Sequence, residues 1–133
     1  MIVASSAIVA ILPREPGWQT LLDRIAADDA APGVGTPTLV ETGIVLTARL
    51  GVLGQSLLAR FCQESGMREL AFTGAHRPIA LNAYLRYGKG RHPAALNFGD
   101  CLTYATASVA QEPLLCVGDD FSRTDLPLAV STA

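Results

Sequence analysis

A chain of 133 residues, half of them hydrophobic and 17% charged, can bury one packed core and is too apolar to stay disordered. Its formal net charge of -2, from ten basic and twelve acidic residues, excludes attraction of nucleic acid over the whole surface. No apolar run approaches the ~18 residues that cross a bilayer, and MIVASSAIVAIL lacks the early positive charge of a secretory signal, so a soluble, untargeted protein is expected.

Ile2-Val3 reads as a short buried strand, and residues 7–12 as a helical turn stopped by Pro13 and Pro16. Trp18, Leu21, Leu22 and Ile25 recur at helical spacing and predict an amphipathic helix over 17–29, ended by Ala31-Pro32-Gly33. Thr36-Pro37 has the form of an N-cap followed by proline at the first helical position, with the helix running to Gly51. Leu57, Leu58, Phe61 and Cys62 mark another helix, and 70–72 a brief strand. Ile79, Ala80, Ala83, Tyr84 and Tyr87 share a helical face that ends at Gly88. A basic loop follows over 88–93; Asn97 then caps a helix to about Ala110, and 114–117 is a buried strand before Gly118-Asp119-Asp120-Phe121. Short strands alternating with longer helices predict an α/β fold: a parallel sheet between helix layers, with sites at the carboxyl ends of its strands. The whole of 1–133 reads as a single domain.

Four acids stand where an exposed helix face does not explain them. Glu41 lies in TLVETGIVL, Asp100 in NFGDCLTYA, and Asp119 and Asp120 follow the last strand. Each has a structural explanation: a capping box over 38–41, a helix-dipole contact at Asp100, and an Asx turn at 119–120. Together they suggest acids converging from separate elements. Converging carboxylates repel unless a cation neutralises them, and oxygen-only ligation suits Mg²⁺ or Mn²⁺. Such an ion activates water and stabilises charge on a phosphodiester. Residues 70–99 carry Arg77, Arg86, Lys89 and Arg91 and no acid; Arg86, Lys89 and Arg91 are candidate RNA phosphate contacts. Tyr84 and Tyr87 are able to stack on bases, but their helical spacing fits core or dimer contacts better.

Other chemistries lack their motifs. His76 and His92 form no triad pattern with Ser5-Ser6, and Gly88-Lys89-Gly90 is too short for a phosphate-cradling loop. Cys62, Cys101 and Cys116 have neither metal-ligand nor disulfide spacing and read as buried thiols in a reducing compartment. A phosphorylated receiver domain would need paired acids after the first strand, where Ala4-Ser5-Ser6 stands.

The runs MIV-x-SSAIVAIL at 1–12, TLVETGIVLTARLG at 38–51, AYLRYGKGRHPAALNFGDCLTYA at 83–105 and PLLCVGDDFSRTDL at 113–126 carry a family likeness over nearly the whole chain. The sequence resembles the PIN-domain ribonuclease toxins of bacterial toxin–antitoxin modules, the VapC family. The resemblance implies a PIN-like α/β/α fold and a cytoplasmic, Mg²⁺-dependent endoribonuclease that hydrolyses RNA, often tRNA or rRNA. It further implies a homodimer and a VapB-type antitoxin partner, with no membrane association. Carried over by position, Glu41, Asp100 and Asp119 are catalytic and metal-site acids, Asp120 is the second choice for the last of them, and Ser6 is a supporting polar group.

One position departs from the pattern. The family begins MIVDSSA or MIVDTSA, and Ala4 stands where that aspartate ligates the metal. A methyl group cannot coordinate a cation, so the resemblance implies weak metal binding and little or no cleavage. The rest of the motif set is intact, which fits a deliberate single substitution better than a decayed gene. The alternative expectation is a non-catalytic PIN-like protein that binds RNA or an antitoxin.

Overall fold

A computed structural model describes residues 1–129; the expected domain limit at 133 lies outside the described residues. Four strands, β1 (Ile2–Val3), β2 (Gly33–Gly35), β3 (Arg68–Leu70) and β4 (Leu114–Leu115), form one parallel sheet in the order β3-β2-β1-β4. Two helices cross over between each consecutive pair of strands. They are α1 (Ser5–Ile11) and α2 (Trp18–Ala26), then α3 (Thr36–Leu50) and α4 (Val52–Ser65), then α5 (His76–Tyr87) and α6 (Phe98–Ala110). Parallel strands require such crossovers, because a tight turn cannot return the chain to the same end.

Successive strand residues point to opposite faces, and the core divides accordingly. Ile2 and Leu114 enter a cluster with Ala83, Tyr87, Leu96 and Ala105 on the α5–α6 side. Val3 and Leu115 enter the other, with Ile8 and Ile11 of α1, Ile25 of α2 and Phe61 of α4. The sheet is therefore covered on both faces, which explains why its strands read as continuous apolar runs. The predicted three-layer α/β architecture is the one observed.

Several local expectations shift. The Gly33-Val34-Gly35 stretch is a strand, not the end of a helix; with glycine at two of three positions it has no side-chain alternation to read. The missing side chains have a use. A Cβ at Gly35 would stand 3.0 Å from Thr106 Oγ1, so α6 packs directly on the strand backbone. The helix expected over 17–29 is confined to Trp18–Ala26, and the one expected from residue 7 begins at Ser5. The third strand lies at Arg68–Leu70 rather than 70–72, and the fourth is only Leu114–Leu115. Cys101 is buried as expected, whereas Cys62 and Cys116 are half-buried; all three are free thiols. Among the described residues, no helix is long and apolar enough to cross a membrane.

Candidate active site

The carboxyl ends of β1 and β4 lie side by side, since these strands are paired neighbours. Ala4 follows β1 directly and its N–H donates to the Leu115 carbonyl (2.9 Å). Extended backbone at Ala4 (φ -79°, ψ 157°) makes it the N-cap of α1, and its methyl supplies no cap hydrogen bond. It is 2% exposed and belongs to the same apolar cluster as Cys101, the residue after Asp100. Ser6 sits one step into α1, and its Oγ accepts from the Val117 N–H (3.0 Å), tying α1 to the segment after β4.

Glu41 comes from α3. The capping box expected over 38–41 does not form: Gly35 is the N-cap, and Thr38 Oγ1 instead lies 3.2 Å from Thr103 Oγ1 of α6. Glu41, three residues on, shares that helix face and turns towards the start of α6. Its carboxylate fills the space where Gly99 has no side chain; a Cβ there would collide with Oε2 and stand 2.9 Å from Cδ. Burial raises the Glu41 pKa, and the charge of Asp100 raises it further.

Asp100 is held by the expected cap at α6. Asn97 Oδ1 accepts from the Asp100 N–H (2.8 Å), and Asp100 Oδ2 accepts from the Asn97 N–H (3.1 Å), a reciprocal capping box. Burial lifts the Asp100 pKa, the Asn97 hydrogen bond opposes that, and Asp120 adds to it. Of the last two acids, Asp120 is the one whose charge raises the pKa of both Asp100 and Cys116. Asp119 instead shows its carbonyl to Ser122 Oγ (2.8 Å) in the turn leading to a short 3₁₀ helix, Phe121–Arg123.

Cys116, read from sequence only as a strand thiol, faces this cluster. Burial pushes its pKa up to about 11, with Asp120 and then Asp100 adding to the rise. The nearest arginine in the sequence to Glu41, Arg49, is taken by Glu15 (2.7 Å). Like charges thus meet here with no ion pair recorded to Glu41, Asp100 or Asp120 among the described residues. A carboxylate cluster of this kind invites a hard cation. As the residues stand, however, no three of His, Cys, Asp and Glu among the described residues form a group able to hold a metal ion. The acids present therefore do not complete a cation site, and Ala4 offers no oxygen to it.

The basic segment divides. Arg86 is engaged: it pairs with Asp125 (3.5 Å) and its guanidinium lies 4.8 Å from the Tyr87 ring centre. Lys89 and Arg91 are exposed, with Arg91 over the Tyr84 ring at 5.4 Å. Tyr87 is buried against His92 and Tyr104, as its core spacing suggests, whereas Tyr84 is 40% exposed.

Comparison with known proteins agrees with the α/β fold. The PIN domain model matches residues 1–126. The chain is 48% identical over 126 residues to "Ribonuclease VapC36" of Mycobacterium tuberculosis, which covers 95% of this chain and 91% of that protein. Among solved structures it is similar to the Mycobacterium tuberculosis toxin VapC20, described as cleaving the sarcin–ricin loop (TM-score 0.80, 18% identity, 98% of each chain). It is also similar to a chain of a toxin–antitoxin complex from Klebsiella pneumoniae (TM-score 0.69, 12% identity, 93% of this chain and 92% of that one).

Proposed function

The chain belongs to the PIN-domain family, with VapC ribonucleases among its relatives, and from that membership we propose that it is the ribonuclease toxin of a type II toxin–antitoxin module, disabled at position 4. What supports this reading is that Asp100 feels the charge of Asp120 and lends its own to Glu41, near a buried methyl where an oxygen donor is expected. In the active form, a divalent cation such as Mg²⁺ or Mn²⁺ supplies water activation and charge neutralisation at a phosphodiester. The residues present do not complete its site, so no catalytic step is assigned to this chain. What they retain is shape: Asn97 orients Asp100, Gly99 admits Glu41, and Ser6 fastens α1 beside them. RNA of the tRNA or rRNA class is the substrate in this reading, a VapB-type antitoxin and a second copy are its partners, and the bacterial cytoplasm is its compartment. Exposed Val40, Ile44, Val52, Leu53 and Phe98 provide apolar surface that suits protein partners.

The test compares the chain with its Ala4→Asp variant on tRNA and rRNA fragments in Mg²⁺. The variant is expected to cleave and to stop when the metal is chelated. The chain as it stands is expected to be slower by more than the ~10–100-fold that loss of a mere outer-sphere partner costs. Equal rates in the two proteins would remove position 4 from the site. Tight RNA binding with no cleavage by either would favour the second reading, a non-catalytic RNA- or antitoxin-binding protein, which Ala4 itself motivates.

A further inference from the structure

A cluster of carboxylates repels the phosphodiester it is meant to approach, so cations beside it must hold the substrate. The structure sorts this chain's cations. Arg24, Arg49, Arg60, Arg68 and Arg86 are each paired with a carboxylate. Among the described residues, Arg14, Arg77, Lys89, Arg91 and Arg123 have no such partner; Arg14 lies over the Trp18 ring, and the last three belong to the basic loop and to the 3₁₀ helix that meets it. Arg123 Nη1 donates to the Pro93 carbonyl (3.4 Å), which brings the 3₁₀ helix after Asp120 against the basic loop 88–93. That loop continues into Asn97, the cap that holds Asp100. Two of the three chain segments that deliver acids, those of Asp100 and Asp120, therefore also deliver cations, and these segments touch each other. Nothing in the composition around Arg123 marks it: it lies outside the basic run 70–99, within FSRTD.

Resting on the ribonuclease reading, we infer that Arg123, with Lys89 and Arg91, binds the phosphate backbone of single-stranded RNA at the rim of the carboxylate cluster, and that Arg86 does not. Arg86 is committed to Asp125 and to the Tyr87 ring and serves the packing of α5. Arg123 has only a long bond to a carbonyl, which leaves most of its five N–H donors for phosphate oxygens. The exposed Tyr84, with Arg91 against its ring, adds a face on which a base can stack.

The experiment measures binding of a single-stranded RNA oligonucleotide to the chain as it stands, across a salt series, by fluorescence anisotropy. Arg123→Gln is expected to weaken binding several-fold and to lower the slope of log affinity against log salt by about 0.7, the value for one single-strand phosphate contact. Arg123→Lys is expected to restore most of that slope, and Arg86→Gln to leave it unchanged. Thermal unfolding of Arg123→Gln close to the parent's separates contact from misfolding. Parent-like affinity and slope in Arg123→Gln would overturn the assignment and leave the ribonuclease reading standing. A parent with no salt-dependent RNA binding would overturn both. Loss of binding to poly-glutamate but not to RNA would give Arg123 to an acidic polypeptide, and would likewise overturn it.

Discussion

The side chain most dependent on a neighbour's absence is Glu41, whose carboxylate occupies the space above Gly99. Gly99→Ala is expected to cost about 1–3 kcal/mol through overpacking, and the cost is expected to vanish in a Glu41→Ala background. Urea unfolding of the four proteins in that cycle measures it; an unchanged cost in the double variant would place the clash elsewhere. Glu41 also sets a pH dependence. Its pKa in the fold lies above the ordinary 4.5, so the folded state holds its proton to higher pH than the unfolded chain does. Its contribution to stability therefore declines as pH rises from the ordinary value through the raised one. Glu41→Gln removes that decline: relative to the parent, the variant is expected to gain stability between mildly acidic and neutral pH, and parallel curves would contradict the burial. Acids in apolar runs were legible as candidates because an unpaired carboxylate is costly there. Which of Asp119 and Asp120 faces Asp100 was not, because one turn's backbone decides it and both residues are compatible with that turn.

At the scale of elements, the six helices and three of the four strands were legible, with shifted ends, and β2 was not. The Asn97 cap of α6 was readable because asparagine three residues before a carboxylate satisfies two backbone donors at once. Asn97→Ala is expected to cost about 1 kcal/mol and to lower the melting temperature, with a smaller loss for Asn97→Ser, which keeps an acceptor. The same logic misread α3. Its Thr38-x-x-Glu41 spacing imitates a capping box, yet the helix has already begun at Thr36, and Thr38 is drawn to Thr103. Strand β2 owes its order to parallel partners on both sides, information that three residues of Gly-Val-Gly do not contain.

Across the whole molecule, the tail segment is anchored by a polar contact that no local pattern predicts. The Tyr104 hydroxyl donates to Asp125, twenty-one residues on, and Asp125 also meets Arg86. The Tyr104 hydrogen bond, outweighing burial, and then the Arg86 charge hold the Asp125 carboxyl below its usual range. That stabilisation is present at neutral pH and is lost as pH falls through the depressed value, the opposite sign to Glu41. Tyr104→Phe is expected to cost about 1 kcal/mol at neutral pH, discounted because Asp125 is more than half exposed, and less in acid. Equal losses at both pH values would show that packing, not the hydroxyl, matters. The expectation that acids from distant segments share one edge came from topology, since neighbouring parallel strands end there.

The bare backbone of β2 acts on that edge from a distance. Thr106 rests against the strand where Gly35 lacks a side chain, six residues along the same helix from Asp100. A methyl inserted there would work as a shim, pressing on Thr106 and shifting α6, the helix whose first turn holds Asp100. The seat of the helix that carries Asp100 thus depends on an atom missing from the strand beneath it.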